Sequence, residues 1–174
     1  MENPFEENIK LLLTATTTLV DSVHKFTPVV AAITKEKYSD EVGMPSLLGY
    51  ETDDEYINRL DMLYKFGKEV AEKESKNELR SKDSKCIGIV VIDSSDTIFE
   101  NKSCVTISAF SLDGEQSKLV VFDIDGDYKT GHINKLVENT EFNPHESLKP
   151  VNNPDVQAFI RGYFGIPNTP RKAS

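Results

Sequence analysis

Asp123, Asp125 and Asp127 stand at alternate positions of VVFDIDGDYKTG (Val120–Gly131), and Asp93 and Asp96 close a second apolar run, CIGIVVIDSSD. Alternate residues of an extended chain share one face. Carboxylates held that close repel one another, and a cation between them relieves the repulsion. Oxygen ligands of this kind suit Ca²⁺ or Mg²⁺. A Mg²⁺ ion held there would in turn polarise a phosphate ester, the chemistry of phosphodiester or nucleotide hydrolysis. The competing reading is a solvated, carboxylate-rich rim, because Asp and Gly are also ordinary turn formers.

Which of these applies depends on the elements that carry the five aspartates. CIGIVVID (Cys86–Asp93), SCVTISAFS (Ser103–Ser111) and KLVVFDID (Lys118–Asp125) read as three consecutive strands. The first is a near-continuous apolar run, as in a strand covered on both faces. The second alternates, with Val105, Ile107 and Ala109 on one side. LDGEQ (Leu112–Gln116) is a hairpin signal, since Asp-Gly tolerates positive φ. Links this short cannot make parallel crossovers, so an antiparallel meander is expected. Its first and third strands end on one edge, which brings Asp93 and Asp96 to the edge that carries Asp123, Asp125 and Asp127. The link Asp93–Lys102 is predicted to hold a fourth short strand or to fold over that edge.

The segment from Val120 to Gly131 resembles the first motif of haloacid dehalogenase-like phosphatases, an apolar strand followed by Asp-x-Asp-Gly. The resemblance implies Asp123 as phosphoryl acceptor and Asp125 as general acid/base. Asp127 stands where that family has Thr or Val, and too little chain follows for the family's later motifs. The same segment is similar to a calcium loop of the EF-hand or dockerin kind, which implies Asp123, Asp125 and Asp127 as the first three ligand positions. Here Tyr128 replaces the expected glycine, and Asn134 takes the place of the bidentate Glu.

Other chemistry is sparse. Lys102 and Lys129 are the bases near the aspartates. His132 follows the Asp turn and reads as a base, a ligand or a helix cap, while His24 and His145 are scattered. No GxSxG, GxxxxGK[ST] or GxGxxG occurs. The net charge of −9 argues against direct binding to a nucleic-acid backbone, which needs clustered Lys and Arg. It suits solubility, a cation or a basic protein partner. Cys86 and Cys104 begin antiparallel neighbours at opposite ends, so they are expected to be reduced and unpaired, as in a cytoplasmic protein. No apolar stretch has the length of a membrane span, and MENPFEENIKLLL lacks the basic start of a secretory signal.

Around the strands the pattern is helical. Phe5, Ile9, Leu12, Thr16, Leu19, Val23, Phe26, Val30 and Ile33 form an imperfect a/d seam, which Pro28 should split. This predicts a long helix to about Phe26 and a short one from Pro28. The seam either packs within the domain or leaves a stripe for a homodimer through the N-terminal helix. TDDE (Thr52–Glu55) is a capping-box pattern ahead of a second helix through Leu60, Leu63 and Val70. Ile133, Leu136 and Val137 suggest another helical turn. Asn153, Pro154 and Asp155 cap a last helix through Val156, Phe159, Ile160 and Tyr163.

The expectation is therefore an α+β fold. An N-terminal helical pair packs on a three- to four-stranded antiparallel meander, and a C-terminal helix closes it. Residues 1–37 form a helical arm, 38–167 the α+β domain and 168–174 a disordered tail. The missing catalytic set favours an acidic cytosolic interaction protein, a regulator, inhibitor or immunity-type factor with a basic partner and no cofactor. The alternative is a divalent-metal-dependent hydrolase of a phosphate ester or nucleotide, with Asp123 and Asp125 as ligands and Asp93 or Asp96 assisting.

Overall fold

A computed structural model describes residues 3–49, 56–79, 83–99, 102–127, 132–140 and 153–167. The elements are α1 (Pro4–Val23), β1 (Val29–Glu36), β2 (Ser46–Gly49), α2 (Tyr56–Ser75), β3 (Ser84–Phe99), β4 (Lys102–Ser111), β5 (Ser117–Asp127), β6 (His132–Glu138) and α3 (Pro154–Tyr163). The six strands make one sheet in the order β2-β1-β3-β4-β5-β6, every neighbouring pair antiparallel. The fold is α+β, and the expected meander is its β3–β5 portion.

The sheet has helices on both faces. On one, Phe5, Ile9 and Leu12 of α1 pack with Ala31, Ile33, Val105 and Ile107. On the other, Leu63, Phe66, Val156 and Phe159 of α2 and α3 pack with Val30, Ala32, Ile89 and Phe110. Each side chain of this size withdrawn from water contributes on the order of 2 kcal/mol before its ordering entropy is subtracted. The first two helices thus lie on opposite faces instead of forming a pair, and α2 packs on α3.

Three predicted elements change type, for physical reasons. Residues 29–36, read as a short helix, form β1 in the sheet interior. Both of its faces are covered, so its burial shows no two-residue period, and the helical seam ran on through Val30 and Ile33. The β-branched run Val29, Val30, Ile33 and Thr34 is what suits a strand. Residues 46–49, read as loop, pair with β1 as the short edge strand β2. His132–Glu138, read as helical, is the opposite edge strand β6, where only Ile133 is fully buried. The residues after Asp93 extend β3 to Phe99, which pairs with Lys102 of β4.

The ends of the helices follow the sequence closely. Asn3 caps α1 by accepting the Glu6 N–H at 2.9 Å, with Pro4 in the first turn. His24, in the left-handed region at φ 56°, closes the helix. Asn153 caps α3 by accepting from the N–H groups of Asp155 and Val156. Gly114 takes φ 77° in the Asp-Gly hairpin, as that turn requires. The capping box at 52–55, the connector at 143–150 and the tail at 168–174 lie outside the described residues.

Candidate functional site

The cross-strand register decides which aspartates meet. Asp93 pairs with Thr106 on β4, and Asp123 pairs with Cys104. Residues directly opposite one another project to the same side, so Asp93 and Asp123 share the sheet face that carries α2 and α3. They stand two strands apart and two residues out of step, which puts their Cα atoms roughly 12 Å apart.

Each of the two is engaged by the chain's own cations. The Asp93 carboxylate accepts the Ser94 N–H at 2.8 Å and lies 3.8 Å from Arg59 Nη1. Arg59 reaches down from α2 and donates Nε–H to Asp155 of α3 at 3.1 Å. One guanidinium therefore joins two helices to β3, with side-chain exposures of 26% for Arg59, 25% for Asp93 and 11% for Asp155. Burial pushes the Asp155 carboxyl above its ordinary range; the Arg59 charge pulls it back in part, and the Asp93 charge adds to the rise.

Asp123 forms a second centre. Lys102 Nζ lies 3.1 Å from its Oδ1, and Asn139 Nδ2 stands 3.4 Å from each carboxylate oxygen. Cys104, fully buried, is its neighbour on β4. Asp125 is exposed and faces Lys135 across β6. The ladder then bulges at Gly126, whose φ of 132° suits a glycine, and Asp127 pairs in register with His132. The side chains of Asp96 and Asp127, like Lys129 and His145, lie outside the described part. Among the described residues no three His, Cys, Asp or Glu side chains converge as a metal would require.

His132 opens β6 rather than capping a helix. Its ring stacks on that of His24, with centroids 4.9 Å apart and planes 24° apart. The Ile133 N–H donates to the His24 carbonyl at 2.8 Å, and His24 Nδ1 lies 3.0 Å from the Ile133 carbonyl. An acceptor at that distance assigns the proton to Nδ1. This two-bond clamp fastens the end of α1 to the outer strand and occupies part of an edge that would otherwise invite pairing.

Two contributors escaped the sequence reading. Arg59 sits in the middle of an amphipathic helix, and its partner Asp155 is 96 residues away, so no spacing signals it. Glu74, in the polar distal part of α2, accepts the Cys86 N–H at 2.6 Å and the Tyr163 hydroxyl at 2.9 and 2.7 Å. It is a three-element tie, not a solvated helix end. Burial, then the Glu74 hydrogen bond and charge, raise the Tyr163 hydroxyl above its ordinary range.

Cys86 and Cys104 are buried thiols and not bridged to each other, as the opposed strand starts implied. Among the described residues no helix is long and apolar enough to cross a membrane. Comparison with protein-family models, with curated proteins and with solved structures finds no match for this chain.

Proposed function

We propose that this is an acidic protein-interaction protein, a regulator, inhibitor or immunity-type factor whose partner is a basic protein. The observation that carries the reading is the chain's charge. The chain has a net charge of −9. Glu36, Asp40, Glu41, Asp83, Asp113 and Glu115 gather at one end of the sheet, where β1 ends, β3 begins and the β4–β5 hairpin turns. Lys35, Lys37, Lys85 and Lys118 stand among them, so the acidic surplus is that of the chain as a whole. Such a field attracts a basic partner and accelerates its encounter. Asp113 keeps its charge well into acid, because the Ser111 hydroxyl and the Glu115 N–H donate to it and hold its carboxyl below the usual range.

The test is a pull-down from the native host with the full chain, eluted by rising salt. It is run beside a variant carrying Asp40→Asn, Glu41→Gln, Asp113→Asn and Glu115→Gln. The expected result is a basic protein retained by wild type, released as salt rises and held poorly by the variant. Retention indifferent to both salt and the four substitutions overturns the proposal.

A further inference from the structure

We propose that the outer face of α1 is a self-recognition surface, packing antiparallel on the same face of a second copy about a two-fold axis at Ala15. Leu11, Leu19 and Val23 are 55%, 51% and 52% exposed, and Ala15 between them is exposed as well. Residues four apart form one ridge along a helix, the element that interlocks when helices cross. This ridge differs from the seam expected from sequence. Phe5, Ile9, Leu12 and Val20 are buried against the sheet, and Leu19 and Val23 are left outside.

Charge selects the occupant. From Leu11 to Val20 there is no charged residue, although 28% of the chain is charged. Thr14 and Thr18 complete the exposed face. Two copies with a net charge of −9 each can meet there without desolvating or opposing like charges. The charges near the ridge are Glu7 and Lys10 toward its start, and Asp21 and Lys25 toward its end. A parallel pair would set Glu7 on Glu7. The antiparallel pair sets Leu11 on Leu19, Ala15 on Ala15, and the Glu7 and Lys10 end of one helix beside Asp21 and Lys25 of the other, so that Lys10 can meet Asp21 and Glu7 can meet Lys25, twice by symmetry. The small Ala15 at the axis lets the helices approach closely. One helix ridge buries less than the ~800 Å² per partner of a standard stable interface, so the dimer should dissociate on dilution through the micromolar range.

The test is sedimentation velocity of the full chain, from hundreds of micromolar down to low micromolar. Wild type should pass from dimer to monomer. Ala15→Arg, an exposed substitution, should stay monomeric with an unchanged thermal melt. Lys25→Glu should weaken the dimer about tenfold, and Glu7→Lys combined with Lys25→Glu should restore it. A wild-type monomer at every concentration overturns the proposal, and so does a dimer indifferent to Ala15→Arg. If wild type stays monomeric while Ala15→Arg loses another protein, the face belongs to that protein and self-recognition is wrong. If the single and double charge variants behave alike, the antiparallel register is wrong.

Discussion

Gly67 of α2 and Gly162 of α3 lie backbone to backbone. A Cβ on Gly67 would overlap the Phe159 carbonyl oxygen, and one on Gly162 would overlap the Tyr64 carbonyl oxygen. Neither neighbour is a flexible side chain that could swing away. The contact brings Phe66 against Phe159, with ring centroids 5.5 Å apart, over the sheet core. Gly67→Ala or Gly162→Ala should force the helices apart and cost about 3 kcal/mol or more, beyond the usual overpacking range. Helix propensity alone would favour alanine at both positions. Urea unfolding of each variant decides the matter, and a stabilised variant would show that the two helices are not in backbone contact.

The Arg59–Asp155 pair predicts an asymmetric response to mutation. Burial raises the Asp155 carboxyl more than Arg59 lowers it. A carboxyl with a raised folded pKa binds its proton more tightly folded than unfolded. Its contribution to stability is complete below the unfolded pKa and is lost as pH rises through the folded one. Asp155→Asn mimics the protonated form. It should lie within about 1 kcal/mol of wild type at neutral pH and flatten the fall in stability across mild acid. Arg59→Ala instead leaves Asp155 and Asp93 without their shared counter-charge. It should cost about 2 kcal/mol, discounted for the quarter of the Arg59 side chain that stays in water. Stability measured from pH 3 to 8 separates the two, and equal losses in both variants would contradict this account.

How legible the fold was depended on whether an element shows one covered face or two. The last helix was plain because Asn153, Pro154 and Asp155 give local capping signals and Val156, Phe159, Ile160 and Tyr163 keep one stripe. The β4–β5 hairpin was plain because Asp113-Gly114 demands it. β1 was hidden because Ala31 and Ala32 are both fully buried, on opposite faces, and buried continuity has no period. The N-terminal seam failed beyond Leu12 for a reason outside the helix. Val23 is 18 residues, or five turns, from Phe5 and so on the same side of α1, yet Phe5 is buried and Val23 is exposed, because cover by the rest of the chain ends before the helix does. The aspartate edge was half legible. The meander placed Asp93 and Asp123 at one edge, but nothing local reveals that they share a face or that Arg59 and Lys102 reach them.

The two thiols should be chemically silent in the folded protein. Burial pushes the Cys86 thiol up to about 12; a hydrogen bond with the Gly88 backbone opposes the rise and the Glu74 charge adds to it. Reactivity belongs to the thiolate and needs access. Cys104 is fully buried behind the Asp123 centre. Alkylation at pH 8 should modify neither residue in the native state and both after unfolding. The native rate should track the rare opening of the sheet. Rapid modification of Cys104 alone would mean that the β4–β5 end opens separately from the core.

The aspartate edge should bind cations weakly, and the binding should be limited by Lys102. An ion at Asp123 and Asp125 competes with an ammonium already 3.1 Å from Asp123. The Glu expected to supply a bidentate ligand is Asn134 in this chain. Affinity for Ca²⁺ should then fall near 10⁻⁴–10⁻³ M, about that of a poorly organised site. Lys102→Ala removes the competing charge and should tighten binding several-fold, whereas Asp123→Asn should abolish it. Calorimetric titration of Ca²⁺, Mg²⁺ and Mn²⁺ into the three proteins reads both effects. Phosphomonoester and phosphodiester substrates assayed with each metal then address hydrolysis. Turnover is expected in none, because a phosphate at Asp123 would need a cation to hold it and Lys102 is spent on the carboxylate. Metal-dependent turnover that vanishes in Asp123→Asn and Asp125→Asn would make the protein a hydrolase and displace the interaction reading.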